Sequence, residues 1–150
     1  MTIQQVSFSA ILDAPNAAAL LKEYEAECAN PLIGPINPQR EMYAQLERAG
    51  LMTSFASFAD ELVLGFGTVL LTIYPHYGVK VATLESIFTA SSHRHSLIGA
   101  TLLGKMEKLA KDIDCAGIYA SAPIGSQFEA LLDAKKDYKR TNSVLFRSLA

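Results

Sequence analysis

The sequence has no tryptophan and only two cysteines, Cys28 and Cys115, among its 150 residues. Their separation shows neither metal-ligand nor redox spacing, so no metal is expected and both read as reduced, buried thiols of a cytoplasmic protein. No apolar run reaches the ~18–20 residues that a membrane span requires. The opening "MTIQQVSFSA" lacks the positive region and apolar stretch of a secretory signal. A basic surplus is missing as well. With 13 Lys and Arg against 15 Asp and Glu, the formal charge of −2 argues against a dedicated nucleic-acid binder. Neither an internal repeat nor a low-complexity tract interrupts the chain.

What is present is apolar bulk. Half the residues are hydrophobic and 19% are charged, the balance of a compact globular chain, and residues 1–150 are one domain's worth. "IQQVSFSAIL" alternates like a half-buried strand, and "DAPNAAALLKEYEAECA" reads as a helix with Asp13 or Asn16 as cap. Asn37 and Pro38 open a second helix that Gly50 stops. From Leu51 the period becomes that of strands: residues 51–59 and 62–75, a hairpin at Asp60–Glu61, a turn at "PHYG", then a third strand over 79–90. Leu97 to Lys111 is an amphipathic helix, "CAGIYASAP" a short strand, "SQFEALLDAKK" a helix and "TNSVLFRSL" a closing strand. A helical crossover between "LESIFTA" and "GIYASAP" makes those two strands parallel neighbours in a mixed α/β sheet with helices on both faces.

The stretch "TASSHRHSLIGATLL" (89–103) lies at the carboxyl end of one parallel strand and at the start of the crossover helix. Ligands of open α/β sheets collect at that edge. A helix start offers unpaired N–H groups and a positive dipole end, which suit a phosphate, and Arg94 and Ser96 add side-chain donors.

Strand "LESIFT", turn and helix "ASSHRHSLIGATLL" and strand "GIYASAP" together resemble the GNAT superfamily of acyl-CoA-dependent N-acyltransferases. The family signature there is Arg/Gln-x-x-Gly-x-Gly/Ala, and the frame here reads Arg94-His95-Ser96-Leu97-Ile98-Gly99, followed by Ala100. The element order is similar throughout, and "DYKRTNSVLFRSL" looks like the family's closing aromatic and last strand. Two departures stand out: Leu97 occupies the first motif glycine, and Asp137 the glycine before the aromatic. A leucine crowds a close approach and resists positive φ.

The resemblance implies a mostly antiparallel mixed sheet (α+β) with a central, splayed parallel pair. It implies acetyl-CoA, or another acyl-CoA, as co-substrate, its pyrophosphate on the backbone of Arg94, His95, Ser96, Leu97, Ile98, Gly99 and Ala100, and its pantetheine along Ile87, Phe88 and Thr89. The reaction implied is direct aminolysis of the thioester by an amine. Amides near Phe88–Thr89 would steady the oxyanion. Glu85, three residues before Phe88 and flanked by apolar neighbours, is the candidate base; a solvent-facing carboxylate paired to a lysine is the plain alternative. Tyr119 and Ser121 are candidates beside the thioester, with core packing as theirs. His76 in the "PHYG" turn reads as a surface histidine, with a place over the acceptor site as its alternative, and His93 and His95 as exposed or phosphate-side residues. The last helix holds no tyrosine to protonate the departing thiolate, so no general acid is assigned. Glu23, Glu25, Glu27, Glu41 and Glu47 favour a cationic acceptor, a small amine or a lysine-like group, with plain solvated helix faces as the alternative. The competing reading is a GNAT-like module that binds coenzyme A or a partner without catalysis; self-association as a homodimer is left open.

Overall fold

The computed structural model describes residues 2–150. Strand β1 (Thr2–Val6) is followed by α1 (Phe8–Leu12), α2 (Ala17–Cys28) and α3 (Arg40–Arg48). Then come β2 (Met52–Ala59), β3 (Leu62–Tyr74), β4 (Val79–Thr89), a 3₁₀ turn (Ser91–His93), α4 (Ile98–Asp112), β5 (Ile118–Tyr119) and α5 (Gln127–Ala134). The sheet order is β1-β2-β3-β4-β5, antiparallel except for the parallel pair β4–β5.

The first expected strand is half helix. Ser7 caps α1, its hydroxyl accepting from the Ala10 N–H at 3.2 Å, and Phe8 and Ile11 turn inward three residues apart. Asn16 stands at the start of α2 but does not cap it. Its side chain instead accepts from the Val63 N–H at 3.0 Å and donates to the Val63 carbonyl at 2.8 Å, pinning α2 to β3. The third helix begins at Arg40 rather than beside Pro38. The strand expected over "CAGIYASAP" shortens to two residues.

Each sheet face has its own core. Leu84, Ile98, Leu102, Leu103 and Met106 pack α4 on one face, and Phe8, Ile11, Leu20, Phe66 and Phe88 seat α1 and α2 on the other. Two glycines on β3 let α4 approach. A Cβ on Gly65 would stand 2.8 Å from Ile98 Cγ2 and 2.9 Å from the Phe88 carbonyl, and one on Gly67 would press on the movable end of Met106 at 2.8 Å and touch the Ser86 carbonyl at an ordinary 3.5 Å. Gly65→Ala should therefore lower unfolding stability by about 1–3 kcal/mol in urea or thermal melts, the usual cost of overpacking, and Gly67→Ala by less.

The closing strand does not form. Residues 141–150 carry no regular structure and are exposed, with Val144 at 88% and Leu145 at 89%. Beyond Tyr119 the chain leaves the sheet, and the two-residue β5 is its last strand. Tyr138, expected as the closing aromatic, instead donates its hydroxyl to Glu107 at 2.8 Å.

Candidate active site

β4 carries the site because its pairing slips once. Thr68 faces Ser86 across the ladder while Val69 faces Leu84, which leaves Glu85 as the extra residue of a β-bulge. The slip changes which residues face which helix layer. Leu84 belongs to the α4 core, yet Glu85 and Ser86 both line a pocket on the opposite face, and alternation then resumes with Ile87 toward α4 and Phe88 toward α2.

That pocket holds about 550 Å³ and is walled by α2, the 29–39 loop, α3 and the middle of β3 and β4. Solvent reaches Glu85 through the mouth, but the enclosing walls push its carboxyl above the ordinary value by desolvation. The nearby Ser86 hydroxyl opposes that shift; it is buried and holds no hydrogen bond of good geometry. Two tyrosines share the cavity. Burial, reinforced by the charge of Glu85, raises the Tyr43 phenol to about 12 and pushes Tyr24 up as well, so both stay protonated at neutral pH. Tyr43 stacks on Phe8 at 3.8 Å between centroids, and Tyr24 tilts against Phe66 at 5.6 Å.

The other end of β4 opens differently. β5 pairs only at Ala82↔Ile118 and Thr83↔Tyr119, so from Glu85 to Thr89 the outer edge of β4 has no strand beside it. The Ala90 N–H donates to the Leu64 carbonyl, toward β3. By alternation the backbone of Phe88 also faces β3, whereas Ile87 and Thr89 turn their N–H and C=O groups to the open edge.

The turn after β4 leads into α4. Ser96 accepts from the Ile98 N–H at 3.3 Å and donates to the His93 carbonyl. Among the described residues Gly99 and Ala100 find no acceptor for their first-turn N–H groups. A Cβ at Gly99 would touch only Thr89 Oγ1, at 3.4 Å. Leu97 solves its problem by avoiding it: φ is −82°, and the side chain is 74% exposed. The positive φ that would exclude leucine is not used. His95 is exposed and His93 is half-buried. Arg94 lies over the Phe88 ring, 5.5 Å from its centroid, and pairs with Glu27 of α2. The Ser91 N–H donates to Glu23 of the same helix at 2.9 Å.

Tyr119 pairs with Thr83, two positions before Glu85, so it shares the sheet face of the pocket; it is 41% exposed and lies near Tyr74. Ser121 is exposed beyond the end of β5 and is not brought to Glu85 by the sheet. His76 is exposed in the 75–78 turn. The glutamates that favoured a cationic acceptor are spent on the fold: besides Glu23 and Glu27, Glu25 accepts from the Ile36 N–H, Glu47 from Phe8 and Glu41 from Arg48. Tyr24, Tyr43 and the 29–39 loop are pocket residues that the helical periodicity presented as core or linker. No group of three His, Cys, Asp or Glu among the described residues could hold a metal. A smaller hollow of about 360 Å³ at the far end of α4 has no comparable set of groups.

The model of the Acetyltransferase (GNAT) family matches residues 18–127. The chain belongs to that family. The GNAT chain also matches solved structures at low identity but over nearly full length. A ribosomal-protein-alanine N-acetyltransferase from Brucella melitensis biovar Abortus 2308 is 18% identical, with a TM-score of 0.72 and coverage of 98% of this chain and 99% of that one. The aminoglycoside acetyltransferase meta-AAC0020 from an uncultured soil metagenomic sample, in complex with sisomicin, is 13% identical, with a TM-score of 0.73 and coverage of 99% and 95%. The structure of AAC(6')-Iy with a bisubstrate analog is 17% identical, with a TM-score of 0.72 and coverage of 99% and 97%. No curated protein matches the chain by sequence. No helix among the described residues is long and apolar enough to cross a membrane.

Proposed function

We propose that this GNAT protein moves an acetyl group from acetyl-CoA to a small amine by direct aminolysis, with Glu85 as general base. The observation that carries this reading is the bulge. It sets the Glu85 carboxyl in the pocket, at the start of the open-edged stretch of β4 that runs to Thr89 and leads into the turn before α4. The residues fit the co-substrate. The free amides of Gly99 and Ala100 at the positive end of α4 suit a pyrophosphate, Ile87 and Thr89 can pair with the amides of an extended pantetheine, and Gly99 leaves room for close approach. Arg94, His95, Ser96, Leu97 and Ile98 supply the rest of the turn. Neighbours named for acetylating an aminoglycoside or a ribosomal-protein alanine support an amine acceptor. The two free thiols suit a reducing compartment such as the cytosol.

In the reaction Glu85 takes a proton from the acceptor ammonium, and the neutral nitrogen attacks the thioester carbonyl. The open-edge N–H groups of β4 receive the developing oxyanion, and collapse expels the coenzyme A thiolate, which takes the nitrogen's second proton to leave as the thiol. Tyr119, on the pocket's sheet face, is the nearer of the two further candidates; Ser121 would need the 120–126 segment to fold toward Glu85.

The test combines two measurements: the thermal midpoint with and without acetyl-CoA, then thiol release across an amine panel. A shift with release supports the transferase. A shift without release for any amine would leave a coenzyme A-binding module, and no shift at saturating acetyl-CoA would overturn both. The α2 carboxylates give a finer handle. Glu27→Gln frees Arg94 and removes a negative charge beside the turn, so coenzyme A should bind about 2- to 5-fold tighter at low salt, with the gain fading as salt rises.

A further inference from the structure

We infer that the acceptor is a small monoamine with an aromatic or branched apolar body, and not a polyamine, an aminoglycoside or a lysine-bearing peptide. This rests on the transferase reading above but goes further, because it follows from what surrounds Glu85. Of the residues lining the 550 Å³ pocket, Glu85 alone carries a charge. The glutamates that could have extended an acidic groove are held by Ser91, Arg94, Ile36, Phe8 and Arg48.

The walls are apolar and aromatic. Tyr24, Tyr43 and Phe66 present ring surface, and Leu46, Met42 and Ile33 close the sides toward the 29–39 loop. One ammonium can be met here by one carboxylate. A second would be desolvated against hydrocarbon with no counter-charge, a cost of several kcal/mol unless it stays outside in water. Ser86 is 7% exposed and lines the same cavity beside Glu85. An amine nitrogen held by Glu85 leaves an aromatic body to cover Tyr24 and Tyr43. An apolar wall also favours the neutral amine over the ammonium, which assists the proton transfer that precedes attack.

The experiment compares kcat/KM for 2-phenylethylamine, putrescine and kanamycin at saturating acetyl-CoA, read by thiol release. The monoamine should exceed both by about 30-fold or more, the scale of discrimination an apolar pocket supplies. Equal or better turnover of putrescine or kanamycin overturns the inference while leaving the transferase intact. If no amine releases thiol, the transferase reading fails and calorimetric titration decides the pocket separately: 2-phenylethylamine should bind and putrescine should not, and any other pattern overturns the inference. A variant adds a positive test. Met42 lies on the wall at 61% exposure, so Met42→Glu should fold normally and bring a second carboxylate to the pocket. It should raise the putrescine to 2-phenylethylamine ratio by about tenfold, as a site gains a partner for the second charge; an unchanged ratio counts against the proposal.

Discussion

Glu85→Gln should lower kcat/KM for amine acetylation by about 10²–10⁴-fold while leaving acetyl-CoA binding unchanged, because a general base contributes on that scale and this one stands on the acceptor side of β4. The pH profile separates loss of a base from loss of a pocket wall. In the parent, kcat/KM rises as Glu85 ionises, and burial places that acid limb above the ordinary carboxylate value. In the variant the limb disappears, and the residual rate follows only the deprotonation of the acceptor amine. Stability runs the other way. A carboxyl whose pKa is raised by folding binds its proton more tightly in the native state, so stability is lost as pH climbs from the ordinary value through the raised one. At neutral pH the glutamine variant should therefore melt higher than the parent, a trade of stability for activity at the bulge. A variant that loses activity and melts lower would point to a structural role for Glu85.

The order β2-β3-β4-α4-β5 was legible because periodicity and turn chemistry are local: Asp60 turns the hairpin with φ of 53°, and Gly78 closes the next turn with φ of 66°. The Glu85 bulge was not, because it exists only relative to β3; nothing within "TLESIFT" says that Thr68 will meet Ser86 while Val69 meets Leu84. Charge counting failed for a related reason. The five glutamates of residues 23–47 look like a groove in sequence, but partners such as the Ser91 and Phe8 N–H groups come from distant segments. The closing segment has strand composition, yet composition alone does not make it pair, and α1 hid behind an alternation that Ser7 breaks by capping. Leu97 misled in the opposite direction. A glycine in a family signature suggests a left-handed residue, whereas this backbone position is one that leucine adopts without strain.

Gly99→Glu should abolish detectable acetyl-CoA binding, weakening it by about 100-fold or more, with little change in unfolding. The two halves of that expectation have separate grounds. A Cβ at Gly99 meets one hydroxyl, Thr89 Oγ1 at 3.4 Å, so the helix can carry the side chain. Within the first turn of α4 the added carboxylate then sits among the amides of Gly99 and Ala100, where a pyrophosphate would have to lie. Two like charges ~5 Å apart repel by roughly 3 kcal/mol at an effective dielectric of ~20, which is about 100-fold in affinity. Gly99→Ala serves as the control for bulk: it should keep most of the affinity, since its methyl is within ordinary contact of Thr89. The salt dependence discriminates further, because repulsion is screened whereas a steric block is not, so raising ionic strength should recover part of the binding in Gly99→Glu. Retained affinity in that variant at low salt would move the phosphate site off the α4 terminus, and with it the assignment of Arg94 through Ala100.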